Sequence, residues 1–211
     1  MSTQPFDHRG NGEGFLSKSS AEATRNEIRI IAGEWRSRRL RFPPAEDLRP
    51  TPDRVRETLF NWLRDAIEGA RCLDLFAGSG ALGFEAASRG AANVVQVERS
   101  ETVSTALRHN CALLMADQIH IVQDSARRYL ARPSEPFDVV FLDPPFRRGW
   151  LLPLCGMLEH RGWLAPAAMI YLECEQELRL DGLPMAWKRL REGKAGDVAY
   201  SLYQRQPRAT E

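Results

Sequence analysis

The sequence predicts an α/β fold with a mainly parallel β-sheet that finishes in antiparallel strands. Strand-like apolar segments alternate with amphipathic helical segments through most of the chain, and two strand-like segments follow one another near its end. A glycine-rich turn, Gly78–Gly83, stands between a strand-like and a helix-like segment, a transition typical of this fold class. Five of the six residues in Phe137–Leu142 are apolar, as expected of a parallel strand that is buried on both faces.

Length and composition are those of one globular domain with appendages. The chain has 211 residues, and no apolar run is long enough to cross a membrane. The net charge is +1, so any attraction to a polyanion must come from local clusters of charge. Residues 1–26 lack the apolar segment of a secretory signal, and the four cysteines are scattered, so we expect a cytoplasmic protein with reduced thiols. The spacing of the four histidines indicates no metal site.

Four segments are predicted along the chain. Residues 1–27 are rich in Ser, Gly, Asn and Glu, and they are expected to form a disordered tail. Residues 28–45 contain two short strand-like runs, which predict a small β-hairpin. Residues 46–206 form the main domain, and residues 207–211 form a C-terminal tail.

The hairpin and the segment after it are rich in arginine. Between Ile28 and Arg56 there are eight arginines and four acids, a net charge of +4 within a chain of +1. Charge clusters are often only solvated faces, but the guanidinium group matches phosphate oxygens and stacks on bases. We therefore interpret the hairpin as a nucleic-acid-binding arm. The candidate RNA-binding residues are Arg36, Arg38, Arg39, Arg41, Arg54, Arg147 and Arg148, of which the last two follow the Phe137–Leu142 strand.

A proline-rich linker precedes the first predicted helix. Thr51 has the position of an N-cap and Pro52 that of the first helical residue, and the apolar periodicity continues to Glu68. Arg54 and Arg56 lie outside the apolar stripe of this helix. We therefore expect these two arginines on the side that faces a ligand.

The glycine-rich turn predicts a site for a cofactor that contains a nucleoside. Gly78, Gly80 and Gly83 have the spacing that permits close approach of the backbone and tight packing of the following helix. The next predicted strand ends at Glu98, where a carboxylate can accept hydrogen bonds from both hydroxyls of a ribose. The glycines alone do not distinguish a nicotinamide dinucleotide from S-adenosylmethionine.

Acids in two other strands bear on the same site. Asp74, in the strand before the turn and followed by Phe76, favours the methyl donor over the dinucleotide. The third predicted strand ends at Asp124, which can accept a hydrogen bond from an adenine amino group or act as the N-cap of a helix that starts at Ser125. The spacing slightly favours the cap, and the two roles are compatible.

The Phe137–Leu142 strand ends in the tetrapeptide Asp143-Pro144-Pro145-Phe146. Neither proline can donate to a sheet, so the strand stops at the edge where open α/β sheets bind ligands. The Asp143 carboxylate and the Pro144 carbonyl offer two acceptors, and Phe146 offers a flat apolar face. This set suits a planar group that carries an NH2. The alternative interpretation is an aspartate-capped turn followed by a core phenylalanine.

The last third of the chain completes the predicted sheet. A helix over Trp150–Glu159 is expected to bend or break at Pro153. Strands are predicted over Ala168–Glu173, Trp187–Arg191 and Val198–Gln204, and the last two would close the sheet as an antiparallel pair.

Together these motifs resemble those of class I S-adenosylmethionine-dependent methyltransferases that act on amino groups. The arginine-rich segments Arg29–Arg36 and Arg49–Asn61 add a more specific similarity to the ribosomal small-subunit methyltransferase D family, over about residues 28–206. The resemblance implies a Rossmann-like fold with a mainly parallel seven-stranded sheet, an antiparallel last strand and a small N-terminal β-hairpin. It also implies an enzyme that methylates N2 of a guanine in 16S rRNA of the small ribosomal subunit. Separately, we expect a monomer.

The resemblance also implies the roles of the motif residues. The tetrapeptide residues Asp143, Pro144, Pro145 and Phe146 would be catalytic, and the arginines named above would bind RNA. S-adenosyl-L-methionine would contact Asp74, Phe76, Gly78, Ser79, Gly80, Glu98 and Asp124. Three alternatives stay open. An NAD-dependent oxidoreductase leaves the tetrapeptide unused, a non-catalytic RNA-binding module does not need it, and an adenine-N6 DNA methyltransferase shares it.

Overall fold

The computed structural model describes residues 26–44 and 50–206. The two predicted tails, residues 1–27 and 207–211, therefore lie almost wholly outside the described residues. The strands are β1 Glu27–Arg29, β2 Arg39–Arg41, β3 Arg71–Asp74, β4 Asn93–Glu98, β5 Ile119–Gln123, β6 Phe137–Leu142, β7 Leu164–Glu175, β8 Trp187–Ala195 and β9 Val198–Arg205. The helices are α1 Asp53–Trp62, α2 Arg64–Ile67, α3 Ala81–Ser88, α4 Glu101–Leu114, α5 Ala126–Tyr129 and α6 Leu151–His160.

Seven strands form one sheet in the order β5-β4-β3-β6-β7-β9-β8. The pairs from β5 to β7 are parallel, and β9 runs antiparallel between β7 and β8. The prediction of a mainly parallel seven-stranded sheet with an antiparallel last strand is confirmed. The strand order reverses beside β3, which lies between β4 and β6. In open α/β sheets, ligands bind at the carboxyl ends of the strands around such a point.

The strand register gathers three acids at that carboxyl edge. Asp74 is the last residue of β3, which pairs in parallel with β6. Leu142 of β6 is level with Leu172 of β7, so the residues that follow them, Asp143 and Glu173, lie side by side on neighbouring strands. Neighbouring strands are about 4.7–4.9 Å apart. The sheet itself therefore brings these carboxyl groups together.

The central strand β6 is buried on both faces, as its sequence predicts. Its side chains alternate between the two apolar layers that cover the sheet. Val139 and Phe141 belong to the layer formed with α1 to α4, whereas Val140 and Leu142 belong to the layer formed with α5 and α6. All four are fully enclosed. The strand end that carries Asp143 is therefore held by packing from two sides.

The predicted N-terminal hairpin is confirmed, and it is anchored to α3. β1 and β2 pair antiparallel. The Glu85 carboxylate accepts hydrogen bonds from the N–H groups of Ile31 and Ala32 at 2.8 and 3.0 Å. The Ser88 hydroxyl accepts a hydrogen bond from the Trp35 N–H at 2.9 Å. The turn of the hairpin is therefore fixed on the helix by side chains of that helix.

The first helical region differs from the prediction. α1 begins after Pro52, and a second short helix, α2, follows Leu63. The predicted N-cap role of Thr51 is wrong, because its hydroxyl donates a hydrogen bond to Oε1 of Glu173 at 3.1 Å. The predicted break at Pro153 does not occur, because this proline lies in the first turn of α6, where a backbone N–H has no helical partner to lose.

The prediction that Arg56 faces a ligand is also wrong. Its side chain is 1% exposed. The guanidinium donates to the Arg29 carbonyl at 2.9 Å and to Asp53 at 2.6 Å, and it lies 3.6 Å from a carboxylate oxygen of Glu85. Arg56 therefore connects α1 and β1 with α3 from inside the protein. Arg54, two residues earlier, is exposed, and its position toward a ligand stays a prediction.

The cysteines are free thiols, in agreement with the prediction that they are reduced. Burial raises the pKa of the Cys72 and Cys155 thiols well above the usual range, so both remain protonated near neutral pH. In residues 26–44 and 50–206 there is no helix long and apolar enough to cross a membrane.

The anchor of the hairpin yields a stability prediction. Glu85→Ala removes a fully buried carboxylate that pairs with Arg56 and Arg89 and accepts two backbone N–H groups. We expect the free energy of unfolding to fall by about 3–5 kcal/mol, because the change removes one of the two acids that pair with the buried Arg56 guanidinium and leaves two backbone N–H groups without an acceptor. Urea unfolding measures this loss. Glu57→Ala, an exposed acid on α1, is the control, and a loss below about 1 kcal/mol for Glu85→Ala would contradict the anchoring role.

Candidate active site

A cleft of about 1690 Å³ opens at the carboxyl edge of the sheet. It is bounded by the turn after β3, the ends of β4 to β7 and the first turn of α6. It brings together most of the residues predicted for catalysis and cofactor binding. Predicted site residues that line it are Asp74, Phe76, Gly78, Ser79, Glu98, Asp124, Asp143, Pro144, Pro145, Phe146, Arg147 and Arg148.

The glycine turn between β3 and α3 has the conformation that its glycines predict. Gly78 and Gly80 have φ of 50° and 80°, in the left-handed region where a side chain is disfavoured. A Cβ on Gly80 would lie 2.5 Å from the Phe84 ring, so this glycine permits close packing of the helix. Gly80 does not line the cleft, whereas Gly78 and Ser79 do. Gly80 therefore serves the packing of α3, whereas Gly78 and Ser79 are available to a ligand in the cleft.

Glu98 closes the turn from the neighbouring strand. Its Oε2 accepts a hydrogen bond from the Gly78 N–H at 3.1 Å, and its Oε1 accepts one from the Ser100 N–H at 2.7 Å. The carboxylate is thus fixed between the glycine turn and the start of α4. Each oxygen has a further lone pair, so the group can still accept hydrogen bonds from a ligand in the cleft.

Asp124 lies at the end of β5, but it does not cap the next helix. The N-cap of α5 is Ser125, whose hydroxyl accepts a hydrogen bond from the Arg128 N–H at 3.3 Å. The Asp124 carboxylate instead forms ion pairs with the side chains of Arg128, at 2.8 Å, and Arg132. Two cations compensate this buried acid, and its contact with an adenine stays a prediction.

Asp143, which is half-buried, lies close to two buried acids, Asp74 and Glu173. Burial raises the pKa of Asp143 well above its usual range, and the charges of Glu173 and Asp74 raise it further. Burial also raises the pKa of Asp74 to about 7, against the effect of hydrogen bonds from the N–H groups of Phe76 and Gly83. Such acids hold protons to an unusually high pH, which is frequent at functional sites.

Glu173 is the third member of this group, and sequence reasoning did not assign it to the site. Its Oε1 accepts hydrogen bonds from the Thr51 hydroxyl at 3.1 Å and from the Tyr171 hydroxyl at 2.8 Å. Burial raises its pKa, and these two hydrogen bonds lower it. A signal was available in the sequence: like Asp143, Glu173 is an acid that closes a run of apolar strand residues.

Aromatic rings form part of the cleft wall. Phe146 is 37% exposed, which contradicts its interpretation as a core residue. Trp150, which sequence reasoning also left unassigned, stacks on Phe76 with ring centroids 6.2 Å apart and planes at 20°. Pro144 is buried, and Pro145 is half-buried. An exposed ring at the strand end can stack on a planar ligand.

The predicted RNA-binding arginines fall into two groups. Arg147 and Arg148 line the cleft, together with two arginines that sequence reasoning missed, Arg99 and Arg127. The four hairpin arginines, Arg36, Arg38, Arg39 and Arg41, are exposed but do not line it. Arg54 is exposed near the start of α1, whose preceding residues line the cleft.

The hairpin extends away from the cleft. Its turn contacts Ser88 at the end of α3, and α3 begins at the glycine turn beside the cleft. Arg38 donates a hydrogen bond to the Leu113 carbonyl at 3.4 Å, at the corresponding far end of α4. The structure therefore separates the hairpin arginines from those in the cleft, and it fixes the distance between the two groups.

The acids of the cleft do not form a metal site by their arrangement. Among the described residues there is no cluster of three or more His, Cys, Asp or Glu side chains placed to hold a metal ion.

The raised pKa values yield a prediction about stability. An acid whose pKa is higher in the folded than in the unfolded state stabilises the fold at low pH, and this contribution is lost as the pH rises through the folded-state value. The pKa of Asp74 rises from 3.8 to about 7. We therefore expect the free energy of unfolding of the ligand-free protein to fall by about 2.5 kcal/mol between pH 5 and pH 8 from this group. Asp143 and Glu173 act with the same sign.

Urea unfolding at a series of pH values measures this slope. Asp74→Asn should make the decrease with pH smaller, because the titrating group is gone. Asp65→Asn, at an exposed acid on α2, is the matched control and should leave the slope unchanged. Stability that stays constant or rises between pH 5 and pH 8 would contradict the prediction.

Comparison with known proteins places this cleft in a family. The family model described as "Conserved hypothetical protein 95" matches residues 28–204. The "Ribosomal RNA small subunit methyltransferase D" of Escherichia coli (strain K12) is 52% identical over 180 residues, which cover 85% of this chain and 91% of that protein. The protein of the same name from Haemophilus influenzae is 44% identical over 193 residues, which cover 90% of this chain and 100% of that protein.

Solved structures agree with these matches. The "putative methyltransferase yhhF" from Escherichia coli has a TM-score of 0.81 at 51% identity, and the match covers 86% of this chain and 99% of that structure. An RNA methyltransferase from Salinibacter ruber, solved with S-adenosyl-L-homocysteine, has a TM-score of 0.58 at 21% identity and covers 77% of this chain and 97% of that one, which shows a shared fold. The chain therefore belongs to the ribosomal RNA small subunit methyltransferase D family.

Proposed function

We propose that this protein transfers a methyl group from S-adenosyl-L-methionine to the exocyclic N2 of a guanine in 16S rRNA of the small ribosomal subunit. The observation that carries the proposal is the placement of Asp143 and Pro144 at the end of β6, inside the same cleft as the glycine turn and Glu98. The names of the 52% and 44% identical relatives support rRNA as the substrate. The ligand of the Salinibacter ruber structure supports the cofactor.

The residues present fit the proposed cofactor. Glu98 has spare acceptor positions for ribose hydroxyls, and Gly78 leaves the backbone open to a close ligand. Phe76, Ser79 and Asp124 line the same cleft, and Asp124 would contact the adenine. S-adenosyl-L-methionine supplies a methyl group on a positively charged sulfur. The buried acids at the base of the cleft favour a cation at that point.

The tetrapeptide residues would position the base. The lone pair of a guanine amino group is delocalised into the ring, which makes N2 a poor nucleophile. Asp143 and the Pro144 carbonyl accept the two N–H groups and so fix the direction in which N2 presents its lone pair. Good alignment of reacting groups contributes about 7–11 kcal/mol at best. Stacking on Phe146 contributes about 1–3 kcal/mol, which offsets the few kcal/mol needed to unstack the base.

Asp143 would also take part in proton transfer. When N2 gains a methyl group, it must lose one hydrogen as a proton. The Asp143 carboxylate already accepts that N–H, and its raised pKa makes it a stronger base than an exposed aspartate. Asp143 can accept the N–H groups and the proton only in its ionised form, so activity should decline on the acid side of its folded-state pKa, which burial raises.

The arrangement of arginines favours a folded particle as the substrate. One group lies in the cleft and another on a hairpin that is anchored away from it. A third basic group lies on the edge strand β8, at Lys188, Arg189, Arg191 and Lys194. The net charge of +1 gives little long-range attraction to free RNA. Separated, fixed basic groups suit phosphates held at fixed spacing around one accessible base.

The substrate is tested with radiolabelled methyl donor. The protein is offered assembled small subunits, late precursors, protein-free 16S rRNA and DNA, and the products are digested to nucleosides. We expect 2-methylguanosine, formed fastest on the particles, and no product from DNA. N6-methyladenine in DNA would overturn the proposed function. Faster turnover on protein-free RNA would still support methylation of guanine N2, but it would contradict the proposed preference for a particle.

Asp143→Ala tests the catalytic role. We expect methyl transfer to be lost while the dissociation constant for the cofactor changes only a few-fold, because Asp143 lies at the proposed position of the base. Calorimetry and a turnover assay measure the two effects separately. Asp138→Ala, at an exposed acid on the same strand, is the control. A large loss of cofactor affinity with residual turnover would contradict the assignment.

Glu98→Ala tests the opposite role. Two hydrogen bonds to a carboxylate contribute about 1.5–3 kcal/mol each, so we expect cofactor affinity to fall roughly a hundredfold or more. Glu101→Ala, in the first turn of α4, is the matched control. An unchanged dissociation constant for the Glu98 variant would show that this carboxylate does not hold the ribose.

A further inference from the structure

Glu173 has one carboxylate oxygen that the protein does not use. Both hydroxyl donors, those of Thr51 and Tyr171, bind the same atom, Oε1. For Oε2, residues 26–44 and 50–206 provide no hydrogen-bond donor. The side chain is only 4% exposed, so water alone is a poor substitute for a partner. A buried carboxylate oxygen without a donor needs an explanation.

The free oxygen is accessible from the cleft. Among the described residues, the side-chain atoms that are both sealed from solvent and unpaired are Nε and Nη1 of Arg56 and Oε1 of Gln96. Glu173 Oε2 is not one of them, so it keeps some accessible surface, and Glu173 lines the cleft. A residue that served only to hold Thr51 and Tyr171 would need Oε1 alone.

The position of Glu173 relative to Asp143 is fixed by the sheet. The two acids follow Leu142 and Leu172, which are level on the parallel strands β6 and β7. Among the charged groups that raise the pKa of Asp143, Glu173 has the largest effect, which indicates that the two carboxyl groups are close. Two acceptors therefore stand next to each other at the place proposed for the base.

We infer that Glu173 is a specificity-determining residue, whose Oε2 accepts the N1–H of the guanine while Asp143 and Pro144 hold its N2. This inference rests on the proposed function. In guanine, the N1–H and the N2 amino group are neighbouring donors on one edge of the base. In adenine, N1 is an acceptor beside the N6 amino group, so it would face a carboxylate without a hydrogen between them. A site built for a donor rejects a base that lacks it, because its own polar group is left unpaired.

The ionised form of Glu173 suits this role. Burial opposes the charged, accepting state of the carboxylate, whereas the hydroxyls of Thr51 and Tyr171 donate to it and favour that state. A hydrogen bond from a base N–H would add a third donor and stabilise the same state. Recognition of the base and ionisation of Glu173 are thus expected to reinforce one another.

The test compares guanine with 2-aminopurine at the target nucleotide of a reconstituted small subunit. 2-Aminopurine keeps the amino group on C2 but has an acceptor at N1. We expect the wild-type protein to have a kcat/KM on the order of ten- to a hundredfold lower for 2-aminopurine. If the wild-type protein has equal kcat/KM values for the two bases, this result alone overturns the inference.

Glu173→Gln should change this preference. The amide carbonyl can still accept hydrogen bonds from Thr51 and Tyr171, while the amide NH2 replaces Oε2. It then donates to N1 of 2-aminopurine and opposes the N1–H of guanine. We expect the guanine-to-2-aminopurine ratio of kcat/KM to fall by about tenfold or more, with unchanged cofactor affinity. The missing O6 of 2-aminopurine affects both proteins alike, so the change in the ratio isolates the contact at N1.

Tyr171→Phe is the matched control. It removes one donor to Oε1 and leaves the carboxylate in place, so its ratio should equal that of the wild type even if its activity is lower. If Glu173→Gln lowers the activity on both bases equally, Glu173 has only a structural role and the inference fails. If the wild-type protein does not methylate guanine at all, the proposed function fails instead, which is a distinguishable result.

Discussion

The close approach of three carboxyl groups at one edge of the sheet, two of them buried and that of Asp143 half-buried, is the constraint on which the site depends. Asp74, Asp143 and Glu173 end up close together because β3, β6 and β7 are adjacent and parallel. Burial raises all three pKa values, and the charges of neighbouring acids raise those of Asp74 and Asp143 further. This arrangement costs stability in the ligand-free protein, so a cationic cofactor and a base rich in N–H donors are ligands that would offset the cost.

The hairpin shows how the same chain positions its basic residues. Glu85 and Ser88 hold the hairpin turn through backbone hydrogen bonds, and Arg56 binds the Arg29 carbonyl from beneath. A flexible arm could adapt to many strands of RNA, but an anchored one presents its arginines in one orientation. Its separation from the cleft is set by the length of α3, which begins at the glycine turn and ends at the hairpin. Because the hairpin is anchored, its arginines stay at a fixed distance from the cleft. Phosphates bound by these arginines would therefore set where the base lies relative to Asp143.

The sequence predicted those parts of the site whose structure is determined by residues adjacent in the chain. The glycine turn, the strand β6 and the tetrapeptide that ends it each follow from residues that are adjacent in the chain. The contact of Thr51 with Glu173 joins residues 122 positions apart, and a plausible local role as N-cap concealed it. The burial of Arg56 was missed for the same reason, because one of its two acidic partners, Glu85, lies on another helix. Such pairings are decided by packing and not by periodicity.

Two buried glutamates, Glu85 and Glu173, differ in how completely their carboxylate oxygens are hydrogen-bonded, and this difference indicates different roles. Two backbone N–H groups and two arginine side chains approach the Glu85 carboxylate. Glu85 does not line the cleft. Glu173 is buried to a similar degree, but its donors all bind one oxygen and the other is left toward the cleft. Unpaired buried acceptors are costly, and natural structures retain few of them. A fully paired acid stabilises the fold, whereas a half-paired acid beside Asp143 is suited to a partner that arrives with the substrate.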